Sequence, residues 1–490
     1  MAWEVVIGLE CHVQLKTRSK MFCGCPNTFG AEPNTNVCPV CLGLPGALPR
    51  ANRVAIAHAL LLGSALGCRV REESVFARKQ YFYPDMPKNY QISQYDRPLC
   101  EGGELPIERD GVRAGIALTR IHCEEDAGKS FHPERHGDRR LSRVDFNRAG
   151  VPLLELVTEP VLRSPAECAT FLTALRRLVR WLGISDGDME KGQLRCDANV
   201  SLRPTGTTPL GIKTELKNLN TIKGVERGVT AEIARQAAIL DAGGRVTQAT
   251  LLFDADRDRL ALMRTKEQAH DYRYFPDPDL PVLRVSEALR AEARNATPEL
   301  PWAREARFRD ALQLPAYDAA VLTDSRELSD YLESCAPNGQ HKLAGNWLMT
   351  EVLRWANEQG RSVSEWSARV PAERFRDFLA RVAARELPGP IAKQVFAWLP
   401  EEDGDVATLL ERHGVKVASG EATLRPLVRA VMAEHATVVA QVLAGEERPF
   451  GFLVGQVMKK SGGQAVPQEV QRLLREELAA GRAPEAGGGS

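Results

Sequence analysis

Four cysteines near the start of the chain have the spacing of a metal site. Cys23 and Cys25 form one pair, and Cys38 and Cys41 form a second pair after 12 intervening residues. Four thiolates this close in sequence are a tetrahedral ligand set for Zn²⁺, and a site closed by four cysteines has no open position for chemistry. We therefore predict a structural zinc site. The alternative is four buried free thiols.

Carboxylates and a histidine alternate with apolar residues in several predicted strands. Within residues 6–15, Glu10 and His12 lie two apart and share the polar face of one strand. Asp197 and Glu215 stand in similar alternating segments further along the chain. Because Mg²⁺ prefers oxygen ligands and often shares them with substrate phosphates, we predict a Mg-nucleotide basin on one sheet face. The alternative, for each strand taken singly, is a solvated sheet face.

Two stretches, residues 78–93 and 271–279, interleave aromatic side chains with cations. Rings stack on unpaired bases and cations meet phosphates, so this mixture suits a single-stranded RNA end. From these residues alone, a pair of aromatic core loops is an equally good interpretation.

The sequence contains no standard phosphate loop. Gly128-Lys129-Ser130 resembles the end of a Walker A loop, but Cys123 occupies the place of its first glycine. A nucleotide site would therefore belong to a fold other than a P-loop or Rossmann fold.

The elements that must position these residues fall into a sheet-rich part and a helical part. Residues 1–292 alternate short strand patterns with turns, interrupted by a helix that begins at the Ser164-Pro165 capping signal and another at about 225–240. The predicted fold class is α+β, with an antiparallel-sheet cradle domain followed by helices. Helical spacing predicts a helical domain over 293–405, a small helical tail domain over 406–478, and a disordered end at 479–490.

The composition excludes several classes of protein. The chain has 490 residues, of which 43% are hydrophobic and 26% charged, which is typical of globular proteins and not of disordered or coiled-coil chains. Its 64 basic and 64 acidic residues cancel, which excludes nucleic-acid binding through overall charge. There is no signal-peptide pattern, and the 11 cysteines are an odd number, so we expect a reducing, cytoplasmic environment and no membrane span.

Several long motifs together resemble one family. The chain resembles the B subunit of the bacterial glutamyl-tRNA(Gln)/aspartyl-tRNA(Asn) amidotransferase in VIGLECHVQL (6–15), RKQYFYPDMPKNYQIS (78–93), IHCEEDAGKS (121–130), DFNRAGVPLLELVTEP (145–160), LRCDANVSLRP (194–204), ELKNLNT (215–221) and DYRYFPDPDLPVL (271–283). The resemblance is dense over residues 3 to about 285, and it continues more thinly into GFLVGQVMKK at 451–460.

The resemblance implies an enzyme that corrects misacylated tRNA. In this family, ATP phosphorylates the side-chain carboxylate carried by Glu-tRNA(Gln) or Asp-tRNA(Asn), and ammonia then displaces phosphate to give the amide. The implied cofactors are ATP with Mg²⁺ and, in some members, a structural Zn²⁺. The implied partners are the A subunit, which is a glutamine-hydrolysing amidase, and the small C subunit, in a heterotrimer, together with the misacylated tRNA. The tail would be a YqeY-like domain that contacts the tRNA body.

The resemblance also implies roles for individual residues. It places magnesium and ATP at Glu10, His12, Glu125, Asp197 and Glu215. It assigns the transfer chemistry to Glu124, Glu125, Lys79 and Arg195, and the tRNA end or the ammonia channel to Tyr81, Tyr83 and Lys88. Because neighbours in a strand face opposite sides, Glu124 and Glu125 cannot both face the metal. One of them is instead expected at the strand end near the ammonia outlet.

Two other functions remain open at this point. One is a non-catalytic, zinc-containing tRNA-binding scaffold with a vestigial site. The other is a stand-alone metal-dependent ATPase or ligase that acts on another substrate. ATP turnover that requires Glu-tRNA or Asp-tRNA separates the amidotransferase from both, and the sequence does not say which of these tRNAs is used.

Overall fold

The chain folds into two compact units, Met1–Ala303 and Arg304–Ser490. The computed structural model describes residues 2–109, 111–131, 141–265, 272–336, 339–415, 421–462 and 464–480. Among the described residues, strands and four helices are interspersed up to residue 296 and only helical elements follow, so the fold class is α+β, as predicted. Within the described residues, no helix combines the length and apolar character that crossing a membrane requires.

The strands belong to the first unit. In chain order they are β1 (Trp3–Gln14), β2 (Arg69–Val70), β3 (Glu73–Ser74), β4 (Ala77–Gln80), β5 (Tyr90–Ser93), β6 (Cys100–Glu101), β7 (Glu104–Arg109), β8 (Val112–Glu125), β9 (Lys129–Phe131), β10 (Arg143–Asp145), β11 (Pro152–Thr158), β12 (Leu194–Pro204), β13 (Thr214–Leu219), β14 (Ala249–Asp254), β15 (Arg259–Thr265), β16 (Phe275–Pro276) and β17 (Leu283–Arg284).

One large sheet organises this unit. Its strand order is β15-β14-β13-β12-β1-β11-β8-β6-β2, and β7 pairs with β8. Neighbouring strands are antiparallel except for β13 and β14, so the predicted antiparallel sheet has one parallel pair. The smaller ladders are β9 with β10, β16-β4-β5, and β17 with β3.

Register places polar residues of different strands in rows across the sheet. His12 on β1 lies opposite Glu155 on β11, which lies opposite His122 on β8. Glu10 lies opposite Asp197 on β12. Directly opposed residues have Cβ atoms only about 5 Å apart, so residues distant in sequence become neighbours on one face.

The other face of the sheet is apolar and is covered by helices. Leu9, Cys11 and Val13 of β1 belong to the same buried core as Phe171 and Leu175 of the second helix. The helices of this unit are α1 (Arg53–Ala65), α2 (Pro165–Trp181), α3 (Ile222–Asp241) and α4 (Glu287–Ala296).

Of the two capping hydrogen bonds predicted at the start of the helix at Ser164, only one forms. The Ser164 side chain accepts a hydrogen bond from the backbone N–H of Glu167 at the start of α2. The Glu167 carboxylate accepts from the backbone N–H of Arg163 instead of that of Ser164. The helix therefore has a cap but not a reciprocal capping box.

The helices from residue 301 onward form two separate cores. They are α5 (Pro301–Asp310), α6 (Ala316–Leu322), α7 (Arg326–Cys335), α8 (His341–Trp347), a π-helical turn (Leu348–Val352), α9 (Leu353–Gln359), α10 (Val363–Arg369), α11 (Ala372–Ala383), α12 (Gly389–Trp398), α13 (Val406–Arg412), α14 (Glu421–Glu434), α15 (Ala436–Leu443), α16 (Arg448–Lys460) and α17 (Pro467–Ala480).

The boundary between these two cores lies later than the predicted 405/406. Val406 and Leu409 of α13 pack into the core that contains Trp366 and Phe396. The core of the tail begins at Leu424 on α14. The predicted disordered end at 479–490 overlaps the last residues of α17, and from residue 481 it lies outside the described residues.

Candidate active site and metal sites

A cluster of two histidines and three glutamates lies on the polar face of β1, β8 and β11. His12 Nε2 is 3.5 Å from Glu124 Oε1, 3.6 Å from Glu155 Oε2 and 3.8 Å from Glu10 Oε1. One ligand atom from each of Glu10, His12 and Glu155 lies within 4.8 Å of the others, and the same holds for His122, Glu124 and Glu155. We call these five residues the carboxylate cluster.

Neighbouring side chains hold the cluster in place. Arg120 donates to Glu155 Oε1 at 3.1 Å and, through Nε, to His122 Nδ1 at 3.3 Å. Because Nδ1 accepts this bond, His122 presents Nε2, which lies 3.2 Å from Ser93 Oγ. The Ser93 hydroxyl also lies 3.1 Å from Glu124 Oε2. These hydrogen bonds therefore orient the Glu124 and Glu155 carboxylates toward one another.

The electrostatics of the cluster fit a divalent cation. Burial, and then the charge of Glu155, raises the pKa of Glu10 above its ordinary value. Burial opposes ionisation of His12, but the hydrogen bond with Glu155 and the charges of Glu124 and Glu155 raise its pKa to about 9. Burial opposes ionisation of Glu124 and Glu155, but the hydrogen bond with His122 lowers the pKa of Glu124, and the charges of His122 and His12 lower the pKa of Glu155. The cluster thus keeps two carboxylates ionised, and a bound divalent cation would favour ionisation of Glu10 as well.

Cations line the same cleft as the cluster. We call this cleft, of about 360 Å³, the basin. It is bounded by His12, Glu124 and Asp197 and by three basic side chains, Lys79, Arg195 and Lys217. Burial works against the charged form of Lys79, yet the nearby Glu124 carboxylate keeps the Lys79 pKa above its usual value. A cleft with both anionic and cationic walls can hold a metal ion and the phosphates that share it.

Asp197 and Glu215 are joined by a lysine. Lys217 Nζ lies 2.5 Å from Asp197 Oδ2 and 3.1 Å from Glu215 Oε1. Glu215 Oε2 also accepts from the Thr250 hydroxyl at 2.7 Å. Asp197 therefore faces the first cleft, while Glu215 lies with Glu10 on an adjoining cleft of about 190 Å³.

The structure separates Glu124 from Glu125. Both residues are buried, with 1% and 2% of their surface exposed, but their carboxylates have different partners on opposite sides of β8. Glu124 joins the carboxylate cluster. Glu125 accepts from the Lys88 ammonium and from the backbone N–H of Ile92 at 2.9 Å, and it lines a different cavity. The expectation that Glu125 shares the basin with His12 is therefore not met, because strand alternation turns it away.

The other predicted basic and aromatic residues divide between the two sites. Arg195 is held on the wall of the basin by Asp126, which accepts from its Nη2 at 2.9 Å. Tyr81 lines the basin, and Lys88 lies with Glu125. Tyr83 is 47% exposed, so it cannot belong to an aromatic core loop.

The two aromatic stretches meet in one small ladder. Phe275 pairs with Arg78, which also forms ion pairs with Asp277 and Asp279 at 2.8 Å. The ring of Tyr272 lies 4.7 Å from Lys79 Nζ, over the cleft. Rings and cations from two segments far apart in the chain therefore border the basin together, which the sequence pattern did not reveal.

The four predicted zinc ligands come together. The Sγ atoms of Cys23, Cys25, Cys38 and Cys41 all lie within 4.8 Å of one another. A hydrogen bond from the Cys23 thiol lowers the pKa of Cys41 to about 4, while burial raises the pKa of Cys25 to about 11. Crowded thiols resist losing all four protons on their own, and a bound Zn²⁺ stabilises the thiolates.

A buried lysine beside the cysteines supports an anionic centre. Lys20 is 0% exposed, and its ammonium donates to the carbonyls of Asn36 at 2.7 Å and Phe146 at 3.2 Å. It also lies 3.7 Å from Cys41 Sγ. Because a buried ammonium needs a counter-charge, this contact favours thiolate at Cys41 over four neutral thiols.

Five residues of these sites were not assigned to them from the sequence. Glu155 had a signal as the one charged residue in an apolar strand, and Lys217 had one because it lies two residues from Glu215 on the same face of its strand. His122 and Asp126 flank the Glu124-Glu125 pair in the same motif. Lys20 had no signal, since a single lysine carries no pattern of its own.

Comparisons with known proteins agree over nearly the whole chain. A family model described as the GatB/GatE catalytic domain matches residues 5–291, and one described as the GatB domain matches residues 330–478. The chain is 48% identical over 481 residues to the B subunit of the aspartyl/glutamyl-tRNA(Asn/Gln) amidotransferase of Halorhodospira halophila, covering 98% of this chain and 99% of that protein. It is 49% identical over 479 residues to the protein of the same name from Moorella thermoacetica, covering 98% and 100%.

Proposed function

Because the chain belongs to the family of B subunits of aspartyl/glutamyl-tRNA(Asn/Gln) amidotransferases, we propose that it carries out the ATP-dependent amidation of misacylated Glu-tRNA(Gln), Asp-tRNA(Asn) or both. The observation that carries this proposal is the carboxylate cluster facing Lys79, Arg195 and Lys217 across one cleft. Acidic and basic groups side by side suit a metal-bound nucleotide and the oxygens of a phosphoryl group in transfer.

The chemistry requires activation of a carboxylate. The side-chain carboxylate on the tRNA is a poor electrophile because its leaving group would be oxide. An oxygen of that carboxylate attacks the γ-phosphorus of ATP, the bond to ADP breaks, and an acyl phosphate forms. Ammonia then attacks the carbonyl carbon, inorganic phosphate leaves, and the nitrogen loses a proton to give the amide of Gln-tRNA(Gln) or Asn-tRNA(Asn).

We assign the magnesium ligands to the carboxylate cluster, with His12, Glu124 and Glu155 at its centre. Glu10 borders both the cluster and the adjoining cleft, where Glu215 lies. Magnesium at this position would neutralise charge on the phosphoryl group during transfer. Asp197 and Glu215, held by Lys217, are further oxygen ligands available to Mg-ATP.

The basic side chains have a separate task. Lys79 and Arg195 keep their positive charge in the cleft, so they are suited to hold phosphate oxygens. Tyr81 and Tyr272 border the same cleft and can stack on the unpaired end of the tRNA. The exposed ring of Tyr83 extends this surface at the rim.

We propose that Lys88 and Glu125 lie where ammonia reaches the basin. Their ion pair is buried on the side of β8 opposite Glu124, in a cavity of about 120 Å³. Gln91 links the two regions, because it lines the basin and donates to the Glu125 carbonyl at 2.7 Å. A buried polar pair at this junction can pass ammonia while excluding bulk water.

The remaining assignments concern partners and zinc. Ammonia would come from glutamine hydrolysed by a partner amidase, the A subunit, with a small C subunit completing a heterotrimer that acts in the cytoplasm. The four cysteines would hold one structural zinc, with Lys20 as a counter-charge. The tail formed by α14–α17 would contact the body of the tRNA.

The test is ATP hydrolysis by the complex, measured with glutamine absent and with each misacylated tRNA in turn. We expect hydrolysis to depend on Glu-tRNA(Gln) or Asp-tRNA(Asn), and Asp197→Asn to reduce it on the order of 10²-fold. Glutaminase activity is the internal control, since its nucleophile lies in the partner chain. Full activity of Asp197→Asn would remove Asp197 from the site. No tRNA-dependent hydrolysis by the wild-type complex would favour a non-catalytic tRNA-binding scaffold, and hydrolysis independent of tRNA would favour a stand-alone ATPase.

A further inference from the structure

The loop that carries the second cysteine pair packs directly against Lys88. Backbone hydrogen bonds from Leu42 to Cys38 and from Gly43 to Val40, at 3.0 and 3.1 Å, close this loop into a tight turn. Gly43 has a φ of +69° and lies so close to Lys88 that a Cβ atom built on it would be 2.5 Å from Lys88 Cγ. Only glycine fits here, and the turn backbone therefore fixes one side of the lysine stem.

The other sides of the Lys88 side chain are also fixed. Its ammonium reaches the Glu125 carboxylate and lies 5.6 Å from the ring centroid of Tyr90. Glu125 is itself anchored by the backbone N–H of Ile92. The position of the Lys88–Glu125 pair is thus set by β5 on one side and by the cysteine loop on the other.

The cysteine centre and the ion pair share one cavity. Cys23, Cys41 and Gly43 line it together with Lys88 and Glu125. Behind it, a Cβ atom on Gly150 would lie 3.5 Å from Cys41 Cβ and 3.7 Å from Glu125 Oε2. Few atoms therefore separate the cysteine ligands from the carboxylate, so a movement of the loop would be transmitted to the ion pair.

We propose that Gly43 is a positioning residue through which the cysteine loop, residues 38–43, holds Lys88 against Glu125. This loop then serves ammonia delivery as well as stability. The inference rests on the proposed role of Lys88 and Glu125 at the ammonia outlet. It assigns to the loop a task that a closed metal site does not have by itself.

Gly46 provides a matched control. It lies in the same segment with a φ of +83°, and a Cβ atom built on it would meet nothing within 4 Å. Gly43→Ala and Gly46→Ala therefore impose a similar backbone strain, but only Gly43→Ala pushes on Lys88. A difference between the two variants reports the contact and not the strain.

The experiment uses the complete complex and measures amide formed per glutamine hydrolysed. We expect Gly43→Ala to lower this ratio on the order of 10²-fold, as misplacement of a positioned group by about 1 Å can do. ATP hydrolysis stimulated by misacylated tRNA should stay within about twofold of wild type, and metal analysis should find the same zinc content. Gly46→Ala should match wild type in all three measurements.

Lys88→Ala distinguishes the possible failures. If Lys88→Ala uncouples the reaction and Gly43→Ala does not, the role of Gly43 is refuted while the role of Lys88 stands. If Lys88→Ala keeps full coupling, the proposed ammonia outlet is refuted, and the inference with it.

A double variant keeps the proposal testable even if Gly43→Ala is unstable. Truncating Lys88 removes the 2.5 Å clash with Cγ but leaves its Cα and Cβ atoms at 3.1 and 3.2 Å, so Gly43→Ala in the Lys88→Ala background should recover part of the zinc content and melting temperature. In that background Gly43→Ala should also cause no further loss of coupling, since its effect passes through Lys88. Additive losses of coupling, or no recovery of stability, would overturn the proposal.

Discussion

Glu10→Gln is expected to slow the reaction without weakening the fold, because Glu10 is the cluster residue whose charge the fold disfavours. Burial, and then repulsion from Glu155, raises its pKa above the ordinary value of 4.5. The pKa of Glu10 is therefore higher in the folded chain than in the unfolded chain. At a pH below the unfolded-state pKa, Glu10 is protonated in both states and does not lower the free energy of unfolding. As pH rises through the folded pKa, ionised Glu10 lowers the free energy of unfolding.

The sizes of the opposing effects follow from the geometry. Glu10 Oε1 is 3.8 Å from His12 Nε2, which is an attraction of about 4 kcal/mol at an effective dielectric constant of about 20. Since the pKa is raised, burial and repulsion from Glu155 and Asp197 outweigh this attraction. Glutamine keeps the volume and removes the charge, so we expect the free energy of unfolding to fall by no more than about 0.5 kcal/mol, or to rise.

The rate should respond differently. Loss of one electrostatic stabiliser from a metal-phosphoryl site costs on the order of 10²-fold, or about 2.7 kcal/mol of activation free energy. The assays are thermal unfolding of the chain and tRNA-stimulated ATP hydrolysis of the complex across a magnesium titration. The rate defect should shrink as magnesium is raised, since a weakened site is filled by mass action.

Glu4→Gln is the matched control. Glu4 lies on the same strand with the same parity, and Arg203 and Arg163 pair with it and lower its pKa. Its replacement should therefore leave ATP hydrolysis unchanged and should not stabilise the chain. Glu10 is not a magnesium ligand if Glu10→Gln destabilises the chain in proportion to its loss of rate, or if the variant turns over at the wild-type rate at limiting magnesium.

Three further predictions concern other parts of the chain. Reduced protein prepared without chelator should hold one zinc per chain, and Cys38→Ser should lose zinc and melt at a lower temperature; a zinc-free wild type of unchanged stability would contradict this. Removal of the tail after residue 415, which spares α13 in its core, should raise KM for tRNA while ATP hydrolysis at saturating tRNA persists; unchanged KM would show that the tail is not a recognition element. Lys217→Met should leave Asp197 and Glu215 without their shared cation. We expect KM for Mg-ATP to rise about tenfold, which corresponds to about 1.4 kcal/mol. A KM equal to that of the wild type would show that Lys217 does not belong to the site.

Strand alternation explains which parts of the basin the sequence could predict. The side-chain period in a strand is two, so Glu10 and His12 had to share a face wherever β1 was placed. The same rule excluded a common face for Glu124 and Glu125, although it could not choose between them. The four cysteines could also be predicted as a metal site, because their ligand spacing is local in sequence.

Pairing between strands explains what the sequence could not supply. His12 meets Glu155, and Glu155 meets His122, only because β1, β11 and β8 are neighbours in one register. A single sequence carries alternation within a strand but not the choice of partner strand. The role of Lys20 could not be predicted for a similar reason, since its contacts with Asn36 and Phe146 depend on loops that meet only in the folded chain.

Variants of two consecutive residues of β8 can distinguish phosphorylation of the tRNA-bound carboxylate from its amidation by ammonia. Glu124 belongs to the carboxylate cluster and Glu125 to the ion pair with Lys88, and the sheet lies between them. Glu124→Gln should therefore abolish most tRNA-stimulated ATP hydrolysis, on the order of 10²-fold, while glutamine hydrolysis persists. Glu125→Gln should leave ATP hydrolysis largely intact and lower the amide formed per glutamine hydrolysed, because the acyl phosphate then meets water in place of ammonia. The same chemical change at adjacent positions is its own control for charge and volume. If both variants lose ATP hydrolysis to the same extent, Glu125 acts in phosphoryl transfer, and the division of the two reactions between the faces of β8 is wrong.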